Sequence, residues 1–82
     1  MTDSISRVLV IRAISELILD CLVSREALAK RGKPREEYRT LDEQIFILMK
    51  LADTLELYEE LTRTVVIPQK LKDEYWGRFP VN

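Results

Sequence analysis

The chain has 82 residues, 13 basic and 14 acidic for a net charge of -1, 46% apolar content, one cysteine and no histidine. That length bounds it to one domain, and the charge balance excludes a polybasic nucleic-acid binder. Its wealth of Leu, Ile and Val excludes a disordered chain, and a lone Cys without His leaves no intrachain disulfide and no structural zinc site.

A domain of this size buries only about 60% of its unfolded surface. Disulfides, metals or oligomerisation usually compensate. With the first two removed, self-association is the expected route.

The first predicted element spans about residues 4–31. From Ile5 to Ala29, 16 of 25 residues are apolar, and neither Gly nor Pro interrupts them. Thr2, Asp3 and Ser4 are all suitable N-caps. Lys30 and Arg31 suit the C-terminal end, and Gly32 can take the left-handed position beyond it. On a helical wheel Val10, Ile14, Leu17, Ile18, Cys21 and Leu28 form the main seam, widened by Ile11, Leu22 and Ala29 and by Val8 and Leu19. Arg12, Glu16, Asp20 and Arg31 mark a polar side that also carries Leu9, Val23 and Ala27. An apolar arc this wide needs more than one packing neighbour. Leu9, Leu19 and Val23 are the residues left over for a second subunit or the C-terminal arm.

Asp3 is acidic where a secretory leader begins with basic residues. Arg12, Glu16 and Asp20 break any continuous apolar run. Neither a signal peptide nor a membrane span is expected, and a cytoplasmic protein follows. The single thiol agrees with a reducing compartment.

A second helix is predicted over about residues 34–62. Pro34 fits a first helical turn, and Thr40 with Glu43 offers a capping box and a bend. Tyr38, Leu41, Ile45, Leu48, Ala52 and Leu55 follow the alternating spacing of a left-handed packed seam. Ile47, Leu51, Tyr58 and Leu61 make a second stripe. Phe46 and Leu57 lie off both and are candidates for partner contact. The short turn between the helices makes them antiparallel neighbours.

Residues 64–67 are β-branched at Thr64, Val65, Val66 and Ile67 and read as extended. A short helix is expected from Pro68 to Trp76, ending at Gly77, followed by an irregular tail over residues 77–82. The expected fold is therefore all-α: a long antiparallel helical hairpin with a short C-terminal helix or arm. It is expected to assemble as a homo-oligomeric helical bundle, with a dimer giving a four-helix bundle.

No catalytic constellation stands out. Cys21 sits in the apolar seam without the His base a nucleophile ordinarily uses. Asp42, Glu43, Asp53, Glu56, Glu59 and Glu60 resemble the acidic helices of nucleotide pyrophosphohydrolases, but a second acidic pair on a later long helix is missing. They read as a solvated face, so no metal and no cofactor is expected. Arg7 and Arg25 interrupt the apolar side of helix 1, where an unpaired charge is costly. Glu56, Glu59 and Glu60 are their expected partners.

The turn carries Lys30, Arg31, Lys33, Arg35 and Arg39 beside Tyr38. Cations next to a helix N-terminus make the best small-ligand candidate, for a phosphate group of a nucleotide or nucleic acid. Tyr75, Trp76 and Phe79 with Arg78 are of the types enriched at binding hot spots. They can instead fold back over the helices.

The leading expectation is a non-enzymatic, oligomeric protein-binding adaptor, regulator or inhibitor. Chains of this kind are common among phage and mobile-element accessory proteins, an association rather than a motif. The phosphate-ligand binder is the alternative, and a metal-dependent nucleotide hydrolase comes third.

Overall fold

The computed structural model describes the backbone of residues 3–80 and the side chains of residues 6–80. It is an all-α, four-helix fold: α1 (Asp3–Lys30), a 3-10 turn (Arg35–Glu37), α2 (Arg39–Thr54), α3 (Tyr58–Thr64) and α4 (Gln69–Arg78). The expected N-cap side chains lie outside the described residues. So do Val81 and Asn82 of the tail.

The end of α1 follows from Gly32. Its φ of 76° suits a residue without Cβ. The Lys33 amide donates to the Leu28 carbonyl at 3.1 Å and the Gly32 amide to the Ala29 carbonyl at 3.0 Å. These two bonds are the Schellman motif, which satisfies the last carbonyls of the helix. The chain then reverses, and α2 returns along α1. Arg25 meets Asp42, and Cys21 meets Gln44 one turn further along.

The expected second helix is not continuous. Tyr38, at φ -120°, separates the 3-10 turn from α2. A larger break falls at Leu55–Leu57, where Glu56 has φ 61°. Here again the Leu57 amide donates to Ala52 at 2.7 Å and the Glu56 amide to Asp53 at 3.0 Å. This second Schellman motif buries both of its apolar members, Ala52 and Leu57. The hydrophobic contact of the motif outweighs the left-handed conformation of a non-glycine residue.

Beyond α3, Val65 is extended, and no strand occurs among the described residues. Val65 and Ile67 point into the core while Val66 is 88% exposed, the period-two alternation of extended chain. Gly77 does not terminate the last helix. It lies within α4, which continues to Arg78.

The core comprises Ile11, Ile14, Ile18 and Cys21 of α1, Ile45, Phe46, Met49 and Ala52 of α2, and Leu57, Leu61, Val65, Ile67, Leu71 and Tyr75 beyond it. Phe46 and Leu57, expected at a partner surface, are buried instead. Phe46 is covered by α4, whose Arg78 guanidinium lies 4.9 Å from its ring centroid. Leu57 is fixed inward by the Schellman turn. The expected α2 seam also splits. Ile45 and Ala52 are buried, Tyr38, Leu41 and Leu48 are half-buried, and Leu55 is exposed.

The C-terminal aromatics pack in cis. Tyr75, fully buried, lies 4.9 Å from Trp76, 5.1 Å from Phe79 and 5.9 Å from Tyr58, between ring centroids. Such pairs each add roughly 0.5–1.5 kcal/mol beyond area burial. No described helix is long and apolar enough to cross a membrane.

Candidate protein-binding surfaces

Two apolar surfaces remain on the outside. The first is a groove of ≈ 450 Å³ between α1 and α2, lined by Leu17, Asp20, Cys21, Ser24, Leu41, Gln44, Ile47 and Leu48. Its walls are two heptad strips. On α2 they are Leu41, Gln44 and Leu48, and the same alternating spacing of three and four continues past the groove through Leu51 to Leu55, the cap beyond the helix. On α1 they are Leu17, Cys21 and Ser24, at spacings of four and three. That repeat keeps a stripe on one face of each helix. The crests stay open: Leu17 is 52%, Ile47 65%, Leu51 45% and Leu55 45% exposed.

The second surface is the outer side of α1. Leu9, Leu19 and Val23, expected there as leftover apolar residues, are 57%, 51% and 61% exposed. Val8 and Val66 adjoin Leu19 across a pair of shallow grooves beside α3. Charges interleave this side, with Arg12, Glu16 and Glu26 among the aliphatics.

Between these surfaces runs an ionic relay. The Asp42 carboxylate, expected on a solvated face, is 1% exposed. Arg25 donates to it through Nε and, at 3.4 Å, through Nη2. Arg35 donates from its own Nε at 3.2 Å, then reaches α4 with two bonds of 2.6 and 2.9 Å to Glu74. The Arg25 guanidinium also sits 5.1 Å from the Tyr38 ring centroid. Arg25 thus finds Asp42 rather than the acidic group on α3, while Arg7 meets the expected Glu60 at 2.5 Å.

This relay occupies two members of the basic turn. Arg35 is committed to Asp42 and Glu74, and Tyr38 lies under Arg25. Lys30, Arg31, Lys33 and Arg39 remain exposed around them. The six residues therefore do not converge on one open anion site. Among the carboxylates, Glu43 is paired with Arg78 at 2.5 Å, and Asp53 accepts from the Tyr75 hydroxyl at 3.5 Å. No group of three or more acidic or Cys side chains among the described residues is placed to hold a metal ion. Of the aromatic tail, Tyr75 is buried and Trp76 and Phe79 are half-buried, so they offer ring edges at most.

Ionisation follows these contacts. The Arg7 hydrogen bond holds the Glu60 carboxyl below its usual range, and Arg78 does the same for Glu43. Burial, and then the Asp53 charge, pushes the Tyr75 phenol up to about 12. Burial with the neighbouring Asp20 raises the Cys21 thiol. A raised thiol is a poor nucleophile at neutral pH, and Cys21 donates to the Gln44 side-chain oxygen at 3.4 Å.

Sequence reasoning missed Leu17, Ile47, Leu51 and Leu55 as a joint surface. The signal was available in the 3-4 spacing through Leu41, Leu48 and Leu51. It was obscured because Leu41, Leu48 and Leu55 fit an inner seam equally well. No protein family, curated protein or solved structure matches the chain.

Proposed function

We propose that this chain is a small non-catalytic protein that works by binding protein, as an adaptor, regulator or inhibitor, in a homo-oligomeric helical bundle. The observation that carries the reading is the amount of aliphatic surface left outside. Among the described residues nine large aliphatic side chains are 45–88% exposed, and all but Val66 gather along α1, α2 and the cap that ends α2. Contiguous apolar surface of this kind marks interaction sites, whereas isolated exposed residues do not. The outer side of α1, with its mix of Leu19, Val23, Arg12 and Glu16, has the composition of a surface that meets a foreign protein and separates from it again.

The test is capture from the source cells with the tagged chain and with Leu19→Glu/Val23→Glu, followed by titration of the purified captured protein. Saturable binding by the first and none by the second, with equal helical circular dichroism, supports the reading. Equal recovery by both, or no saturable binder, counts against it.

A further inference from the structure

The groove between α1 and α2 differs from the rest of the surface in its charge. A third of the chain is charged, 33%, yet Asp20 is the one charged residue among the eight that line the groove. Depletion of charge at an apolar centre is the compositional mark of a protein interface. An acidic peptide would find no countercharge there, and a basic one only the single carboxylate of Asp20.

The spacing narrows the occupant further. Both walls carry a 3.5-residue repeat, and knobs-into-holes packing needs a partner with the same repeat. The chain's own strip, with Leu17 and Leu51 on it and the exposed Ile47 beside it, is such a surface: aliphatic, nearly uncharged and of the same pitch. Two copies related by a twofold axis place like on like, which is how isologous interfaces are built. Its size is adequate. The strip from Leu41 to Leu55 is ~21 Å long, and two helices side by side are ~20 Å across. That gives roughly 400 Å² in projection, the apolar centre of a standard interface of ~800 Å² per partner. Asp20, Ser24 and Gln44 are the polar members of the groove's lining.

We infer that the α1–α2 groove is occupied by the same groove of a second copy, forming a four-helix layer of two α1–α2 pairs with α3 and α4 outside it. The inference rests on the protein-binding reading above and assigns this surface to self-assembly, leaving the outer side of α1 for the foreign protein. Because Ile47 and Leu51 are exposed in the single chain, charging them leaves the core intact.

The experiment is sedimentation velocity of the full chain over the micromolar range for wild type, Ile47→Glu/Leu51→Glu and, as a control, Leu19→Glu. Wild type and Leu19→Glu are expected to be dimers. In the groove variant the dissociation constant should rise more than about 100-fold, because unpaired carboxylates enter the interface from both copies. Its far-ultraviolet circular dichroism should stay that of the folded chain. A wild-type monomer throughout the range would overturn the inference while leaving the foreign-protein test above standing. A dimer that survives the groove variant but not Leu19→Glu would overturn it too, and would move self-assembly to the outer side of α1.

Discussion

Asp42 offers the sharpest test of how the fold is held. Its carboxylate is 1% exposed and accepts from two arginines of unequal burial, Arg25 with 21% of its side chain exposed and Arg35 with 48%. Asp42→Asn keeps the shape and removes the charge. Breaking a buried pair from one side costs about 3–5 kcal/mol, because the other charge is left uncompensated. Arg25 is a fifth exposed, so its share falls to about 2–3 kcal/mol. Arg35 is half in water and keeps Glu74, so its share is at most about 1 kcal/mol. The sum is about 3 kcal/mol, against a total near 4–12 kcal/mol for a chain of this length, and about 12–24 °C in Tm. Urea unfolding followed by the fluorescence of Trp76, at one fixed protein concentration, measures it. The double variant Arg25→Met/Asp42→Leu should recover most of the loss, since an apolar pair of similar volume replaces a buried ion pair without penalty. A loss below about 1 kcal/mol for Asp42→Asn with an unchanged m-value would refute the reasoning, as would a double variant less stable than the single one.

Other expectations follow from the same contacts. Glu56→Gly should stabilise the fold by roughly 0.5–1 kcal/mol in the same urea assay, because it removes left-handed strain larger than the entropy Gly adds to the unfolded chain; a destabilised variant counts against the turn. Ile18→Ala, at a fully buried position, should cost about 2–5 kcal/mol, read from the midpoint shift. Tyr75 has its folded pKa raised to about 12 from about 10, so its contribution is complete below pH ~10 and is lost as the pH rises towards ~12; ultraviolet titration of wild type against Tyr75→Phe should show one late phenol, and a Tyr75 that ionises near 10 would contradict its burial. Glu43 and Glu60 have lowered folded values, so their contribution is present above pH ~4.3 and is lost as the pH falls through those lower values. Arg7→Ala with Arg78→Ala should flatten that acid limb in a series of thermal melts.

The parts of the fold that the sequence made legible are those fixed by local chemistry. Gly32 after a cationic last turn marked the end of α1, and the charge on the apolar side of that helix pointed Arg7 to Glu60. The break in α2 was invisible because it uses no Gly or Pro. It depends on Ala52 and Leu57 meeting across a turn, a contact that only the neighbouring helices make favourable. Gly77 was misleading for the opposite reason. α4 continues through it, and the Phe79 amide closes the last turn by donating to the Tyr75 carbonyl at 2.8 Å. Asp42 had a legible signal that was overlooked. It falls on the same arc of α2 as Ile45, Phe46 and Met49, and a carboxylate on such an arc implies a cation brought to it from elsewhere in the fold.

The ionic relay and the open groove are linked through the rotation of α2. Packing Asp42, Ile45, Phe46 and Met49 inward turns Leu51 and Leu55 outward, since one helix cannot bury both arcs against α1, α3 and α4 at once. The break at Glu56 reinforces this. A continuous helix would place Leu57 beyond the reach of the core that it now fills, while the Schellman turn sends Leu57 inward and leaves Leu55 on the open side. The same 3-4 spacing thus serves two seams on one helix, an inner one sealed by α1 and an outer one without a partner among the described residues. Charge on the inner arc is tolerated because Arg25 and Arg35 neutralise it. In the open groove beside the outer strip, Asp20 of α1 is the one charged lining residue, so covering that groove would desolvate a single carboxylate.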